Sequence, residues 1–406
     1  MNKLKTTLIA LLITLNVMGE ENKFNLSFHG FVAVDAAHNS REAVIARNNH
    51  IHLYPLPAKW EEGKDINAQA NYDIDAAHTR IGAHLKHINS DKMTTVALIE
   101  FDFLGASSIS TDSYPRLRHA YVKFIFDKYD ITAGQAWHPL FMPNHYPRTV
   151  NSNAGAPIHP LCRNPQIRFT HRINDNIHWD IAVIEQNNFR SVGFGDGSEK
   201  SLLPEVDAQL TISKNNLETV FTAGYKKLSL PRHGDEDLPF WEKRPTVDSW
   251  HFQFNILADL NKFTIRSGTL YGGNLTEHVM PGGVGQVTSS NPVSPKFEDI
   301  KTISAWTDVE GNQKKWAPGF FVGYVENLGA NKEIIVNNSH CRNSDLANLL
   351  VIAPRIKYHL TQQTFVGLEY SYNSAGWGSD YNSKGKPTNS SDFVNHRTLL
   401  SVRYTF

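Results

Sequence analysis

The chain has 406 residues, with 40 basic and 40 acidic side chains and therefore a formal net charge of zero. Because the sequence contains no block of basic residues, it lacks the electrostatic footprint of a nucleic-acid-binding protein. Cys162 and Cys341 are the only cysteines, so a disulfide scaffold is excluded. A single bridge and two free thiols both remain open.

The first 19 residues have the order of a secretory signal peptide. Lys3 and Lys5 precede a mostly apolar stretch, residues 8–17, and the small residue Gly19 follows. The stretch is shorter than the roughly 20 residues of a membrane-spanning helix. We therefore expect cleavage after Gly19, and the loss of two lysines leaves residues 20–406 with a formal charge of −2.

Alternation of apolar and polar residues is the main pattern of the rest of the chain. It is clearest in residues 205–213, 250–256 and 397–406, where every second residue is apolar. Such a period of two predicts strands with one apolar and one polar face. Less regular segments of this kind begin near Leu26, Thr79, Thr94, Arg116, Tyr129, Gln166, Ile177, Glu218, Lys262, Asp299, Ala317, Leu349 and Gln363. The total is about sixteen strands of about ten residues, the length of a tilted transmembrane strand.

The predicted connections alternate between short and long. Residues 173–176, 214–217 and 361–362 are predicted turns, whereas the predicted long polar loops are residues 138–165, 229–247, 273–298, 328–348 and 374–393. A soluble β-sandwich shares the strand pattern, but its domains are commonly near 100 residues and no such boundary is visible. The pattern and a final apolar-face phenylalanine, Phe406, favour one domain, residues 20–406. We predict an all-β fold, a transmembrane antiparallel β-barrel of about 16 strands in a bacterial outer membrane. A barrel of this size leaves a lumen too wide for side chains to fill, which favours an aqueous channel.

Residues 137–165 form the connection of greatest interest. The segment is long and rich in proline and in apolar residues, which need a surface to pack against. We expect it to fold into the lumen as a constriction loop. The alternative is an extracellular loop packed on its neighbours.

Four motifs in this half of the chain resemble the DcaP-like family of trimeric outer-membrane porins. They are Thr-Arg-Ile-Gly (79–82), Leu-Arg-His-Ala-Tyr-Val (117–122), Gly-Gln-Ala-Trp-His-Pro-Leu-Phe (134–141) and Arg-Asn-Pro-Gln-Ile-Arg (163–168). The match covers roughly residues 72–172 and fades into a general barrel pattern beyond. The resemblance implies a sixteen-stranded homotrimer in outer-membrane lipid, an inward-folded loop, and passage of small, often anionic, organic solutes. Family members often carry a helical extension before the first strand, for which residues 20–25 leave no room.

Arginine is the side chain best suited to an anion-preferring constriction, because it stays charged and holds carboxylates with a fixed fork of donors. The candidate pore-lining residues in and beside the matched block are Arg80, Arg116, Arg118, Arg148, Arg163, Arg168 and Arg172. We expect several histidines to add positive charge as the pH falls towards 6. The alternative is that these arginines pair with acidic residues of neighbouring strands.

No other chemistry has a recognisable pattern. None of the 19 histidines lies in a local metal-ligand frame, and Ser339–His340 lacks an evident orienting partner, so we expect neither metal, cofactor nor enzymatic activity. The competing function is a plugged or adhesive barrel whose long loops, such as residues 374–393, bind a surface partner.

Overall fold

The computed structural model describes residues 24–46, 51–107, 110–230, 244–291 and 294–406. The predicted signal peptide, residues 1–19, lies outside the described residues. None of the helices in these ranges is long and apolar enough to cross a membrane.

Strands account for most of the described chain. In chain order they are β1 (Phe24–Asn39), β2 (Ala43–Ala46), β3 (Ile51–Pro55), β4 (Trp60–Glu61), β5 (Lys64–Asp65), β6 (Asn71–Asp75), β7 (Arg80–Ser90), β8 (Met93–Ser107), β9 (Ser110–Ile125), β10 (Tyr129–Trp137), β11 (Arg163–Asn174), β12 (Ile177–Ile184), β13 (Glu205–Lys214), β14 (Leu217–Ser229), β15 (Thr246–Leu260), β16 (Phe263–Gly273), β17 (Gly282–Val287), β18 (Phe297–Gly311), β19 (Trp316–Ala330), β20 (Ile334–Arg342), β21 (Leu346–His359), β22 (Thr364–Tyr381) and β23 (Pro387–Thr405). One short helix, α1 (Gly197–Lys200), and two 3-10 turns, Ile66–Ala68 and Thr276–His278, lie in connections.

Sixteen of these strands form a closed antiparallel barrel, as the sequence predicts. The wall strands are β1, β7 to β16, β18, β19, β21, β22 and β23. The first and last strands close it, with Phe31 opposite Thr405 and Asn39 opposite Arg397. Beyond this ladder, Gly30 and Phe406 exchange two backbone hydrogen bonds of 3.1 Å. A closed sheet has no unpaired edge.

The exposed face of the strands is apolar and the buried face is polar, the reverse of the arrangement in a water-soluble protein. On β13, Val206 and Leu210 are 40% and 37% exposed, whereas Asp207 and Thr211 between and beside them are 1% and 4% exposed. The apolar face of β13 therefore points outwards and its polar face points into the barrel. An exterior of this kind is stable against lipid and unfavourable in water.

The connections follow the predicted alternation at most places, although the predicted loops 273–298 and 328–348 contain β17 and β20, which pair with each other. Two-residue turns, such as 215–216, join strands at one end, and Asn215 has the left-handed φ of 54° that such turns use. The prediction of a loop at residues 374–393 is wrong. Most of this segment belongs to β22 and β23, and only residues 382–386 connect these two strands. Its Asn- and Ser-rich residues belong to paired strands, with Asp380 opposite Thr388.

Candidate constriction and pore lining

The connection between β10 and β11, residues 138–162, folds into the barrel and is called the constriction loop here. Its apolar side chains Leu140 and Ile158 are fully buried and belong to one core cluster with Phe321 and Val325 of β19. Those two residues lie on the inward face of their strand, since Phe320 and Tyr324 beside them are exposed. The predicted inward fold is therefore confirmed.

Carboxylates of the wall hold the constriction loop by its backbone. Glu369 on β22 accepts hydrogen bonds from the amides of Val150 (2.6 Å) and Asn151 (3.3 Å). Asp308 on β18 accepts one from the amide of Arg148 at 3.2 Å. Backbone amides buried in a loop need acceptors, and a charged acceptor makes the stronger bond. The loop is thus fixed against the β16–β22 side of the wall.

On β18 and β21, next to the attached loop, acidic and basic side chains neutralise one another. Arg355 donates to Asp308 through two nitrogens, at 2.7 and 3.1 Å, and Lys357 donates to Glu310 at 2.8 Å. Neither base is one of the seven candidate arginines. The alternative expected for those seven, pairing with acids of neighbouring strands, describes four of them, each within 4 Å of a carboxylate: Arg80, Arg116, Arg118 and Arg172.

The opposite side is open and positively charged. A cavity of about 360 Å³ lies between the constriction loop and strands β1, β7, β9, β11 and β23. Its lining among the described residues includes six arginines and no carboxylate: Arg80, Arg116, Arg118, Arg148, Arg163 and Arg403. We call this cavity the arginine passage. It contains five of the seven arginines predicted from the sequence.

Three of these arginines share two carboxylates of β8. Arg116 donates to Asp102 at 2.9 Å, and Arg118 bridges Glu100 at 2.7 Å and Asp102 at 2.9 Å. Arg80 lies 3.7 Å from Glu100. Two negative charges therefore face three positive ones.

The other three arginines, Arg148, Arg163 and Arg403, have no carboxylate within 4 Å among the described residues. Each instead lies over an aromatic ring: Arg148 over Tyr146 (4.1 Å), Arg163 over Trp137 (4.5 Å) and Arg403 over Phe31 (4.5 Å). An aromatic face orients a guanidinium without neutralising it. Counting Glu100, Asp102 and Asp35, which interacts with Arg403, the six arginines have a formal surplus of three positive charges.

The structure does not bring Arg168 and Arg172 into this passage. Arg168 donates to the carbonyl of Trp137 at 2.8 Å, and Arg172 pairs with Asp130 at 2.9 Å near the 126–128 turn. Arg403 was missed by the sequence reasoning. Its signal was present, because it occupies the polar face of the alternating last strand.

Two histidines of the constriction loop are buried in its core. Burial lowers the pKa of His145 and lowers the pKa of His159 to about 3. His159 is therefore not one of the histidines that can add positive charge as the pH falls towards 6.

The sequence matches no protein-family model and no curated protein. Solved structures are similar over almost the whole chain. The outer-membrane channel DcaP of Acinetobacter baumannii has a TM-score of 0.69 at 14% identity, covering 96% of this chain and 99% of that chain. The anion-selective porin from Comamonas acidovorans has a TM-score of 0.57 at 8% identity, covering 94% and 100%. OmpT, an outer-membrane protein of Vibrio cholerae, has a TM-score of 0.57 at 9% identity, covering 96% and 100%. The chain therefore has the fold of an outer-membrane porin, and the DcaP-like fold expected from its motifs is confirmed.

Proposed function

We propose that this protein is an outer-membrane porin that lets small hydrophilic solutes diffuse passively and favours small organic anions, carboxylates above all. The observation that carries this proposal is the arginine passage, with six arginines in its lining, three of which have no carboxylate within 4 Å among the described residues. A narrow opening with low-dielectric walls focuses the field of the charges that line it. The field of distant loop charges is screened within about 8 Å at physiological salt.

The arrangement suits carboxylates for a geometric reason. A guanidinium offers two parallel donors that match the two oxygens of a carboxylate, and several such groups lie along one side of the passage. Arg148 lies on the constriction loop, whereas Arg80 and Arg403 lie on the barrel wall facing it. A carboxylate can therefore exchange one arginine for the next without full rehydration. The same surplus of positive charge repels a cation.

We propose a homotrimer in outer-membrane lipid as the working form. One similar structure is described as a trimer form, that of OmpT of Vibrio cholerae, with a TM-score of 0.51 at 11% identity. Native mass spectrometry in mild detergent tests this directly, and a monomer at every concentration would contradict it. Export by the predicted signal peptide, residues 1–19, is tested by the N-terminal sequence of the mature protein.

Recordings in planar bilayers test the pore. We expect stable conductance steps and, in a KCl gradient, a reversal potential of the sign produced by chloride permeation. Millimolar succinate on one side should reduce the chloride current by competing for the arginines. A barrel that inserts but carries no current would instead support the plugged or adhesive alternative. A reversal potential set by potassium would refute the anion preference and leave the pore intact.

A further inference from the structure

A second polar cluster lies inside the barrel, away from the arginine passage. It consists of His138, Glu205, Asp207, His251 and His278 and is called the histidine cluster here. These side chains are at most 2% exposed. They come from four separate places: the start of the constriction loop, β13, β15 and the 3-10 turn after β16.

Three members of the cluster present donor atoms to one common point. His138 Nε2 lies 3.2 Å from Glu205 Oε1, and the rings of His138 and His278 pack at 4.5 Å with an angle of 79° between their planes. One nitrogen or oxygen atom from each of His138, Glu205 and His278 lies within 4.8 Å of the other two. Three buried donor atoms this close, from distant segments, form a preassembled ligand set.

The hydrogen bonding of this set is incomplete. Within the described part of the chain, both ring nitrogens of His278 and the second carboxylate oxygen of Glu205, Oε2, have no hydrogen-bond partner. The adjacent His251 and Asp207 contact each other through Nε2 and Oδ2 at 3.1 Å, while His251 Nδ1 and Asp207 Oδ1 also lack a partner among the described residues. Buried polar atoms are almost always partnered in folded proteins, so unpartnered nitrogen and oxygen atoms around one point indicate a missing ligand.

The charges of the neighbourhood indicate the sign of that ligand. Glu205, Asp207 and the neighbouring Glu277 are three buried carboxylates, and Lys226, which contacts Glu277, is the one buried lysine beside them. Arg168 interacts with Asp180 of β12 and with Asp207 of the cluster, and Arg342 interacts with Glu277. The groups closest to the histidine rings are nevertheless the carboxylates of Glu205 and Asp207, which favours a cation over an anion as the missing ligand.

We propose that His138, Glu205 and His278 bind one Zn²⁺ ion that joins the constriction loop to β13 and to the turn after β16. Two imidazoles and one carboxylate are a common zinc donor set, and a water molecule can complete the tetrahedron. Calcium and magnesium are excluded by the two nitrogen ligands, because both ions prefer oxygen. Ligand atoms of a tetrahedral zinc site are about 3.4 Å apart. The present atoms lie within 4.8 Å of one another, so zinc binding draws the three side chains closer together.

The surrounding groups can hold the ligands in the binding tautomer. In the metal-free form the amide of Leu140 donates to His138 Nδ1 at 3.2 Å, which leaves the ring proton on Nε2. Zinc at Nε2 requires that proton on Nδ1, which breaks the hydrogen bond from Leu140, and Asp207 Oδ2 must move closer from its present 3.8 Å to accept it. Glu277 Oε1 lies 3.4 Å from His278 Nε2 and can orient the second ring in the same way. Carboxylates in this outer position are usual partners of metal-bound histidines.

The test is a titration of the detergent-solubilised, folded protein with ZnCl₂ after removal of metals by EDTA. We expect one tight Zn²⁺ per chain, measured by chelator competition and by metal content after desalting. His278→Gln should weaken binding about 100-fold or more, since a direct ligand matters more than an outer-shell partner. The matched control is His178→Gln, which alters a half-exposed histidine of β12 and should bind zinc like the wild type.

Two further measurements keep the result decisive. Glu205→Gln replaces the third ligand with a side chain of equal size. A change in gel mobility on boiling reports whether each variant is folded. Co²⁺ in place of Zn²⁺ should give the intense visible absorption of a tetrahedral site, absent in both ligand variants. The proposal is overturned if the wild type retains no zinc, or if folded His278→Gln and Glu205→Gln bind it as tightly as the wild type. Anion selectivity is independent of either outcome.

Discussion

Arg148→Gln is the most direct test of the arginine passage. The side chain lies on the constriction loop, is ordered by Tyr146 and a hydrogen bond of 3.0 Å to the Pro143 carbonyl, and has no carboxylate within 4 Å among the described residues. Removing its charge therefore leaves no buried acid unpaired. The matched control is Arg172→Gln, which removes the same charge near the 126–128 turn.

The expected size of the effect follows from Coulomb's law. A unit charge about 5 Å from a permeating ion contributes about 0.8 kcal/mol in water. Screening over a Debye length of about 8 Å reduces this to about 0.4 kcal/mol. The term stabilises an anion and destabilises a cation, so its loss lowers the anion-to-cation permeability ratio about fourfold. A double variant with Arg163→Gln should lower it about 16-fold if the two sites act independently.

Reversal potentials in a KCl gradient measure this ratio for the wild type and each variant. Arg172→Gln should leave it nearly unchanged, because its charge is distant from the passage and paired. If Arg172→Gln changed the ratio as much as Arg148→Gln, net charge rather than the local field would set selectivity. The reasoning from the passage would then be wrong.

Three further outcomes follow from the contacts of the constriction loop. Glu369→Gln removes the charged acceptor of two loop amides, and each of these hydrogen bonds is worth about 1.5–3 kcal/mol. The loosened loop should increase current noise in single-channel records, whereas the control Glu199→Gln on α1 should not. Phe321→Ala should cost about 3–5 kcal/mol and lower the temperature at which the folded gel band is lost, whereas Phe320→Ala on the lipid face should cost less. The pKa of His159 is about 3 in the folded loop and about 6.5 when the loop is unfolded. As the pH falls below about 6.5, His159 is therefore protonated in the unfolded loop but not in the folded one, which favours unfolding. Attachment of the loop should therefore weaken by about 2 kcal/mol at pH 5, seen as faster hydrogen exchange of loop amides than at pH 7.

The sequence predicts the barrel well because the relevant signal is local. Alternation such as Val206 and Asp207 is imposed residue by residue by lipid on one side and the lumen on the other. The shared parity of Arg116 and Arg118 likewise placed both on the inner face. Local composition failed at residues 374–393, since polar strands that extend beyond the membrane have the composition of loops.

What the sequence could not predict are the relations between distant segments. Arg403 joins arginines of β7 and β9 only because the last strand closes on the first. His138 and His278 meet because the constriction loop crosses to the turn after β16. No spacing along the chain encodes either encounter, and an alternating strand does not show which inward residues a folded-in loop will cover.

The constriction loop also has an evolutionary consequence, because it leaves part of the interior uncovered. The covered part, with Phe321 and Leu349, belongs to the buried apolar core. The side of Arg80 and Arg403 borders open space and contributes little to that packing. Substitutions there can alter which solutes cross while the barrel still folds. New transport specificities can therefore arise by drift on one side of the lumen, while selection for folding conserves the other.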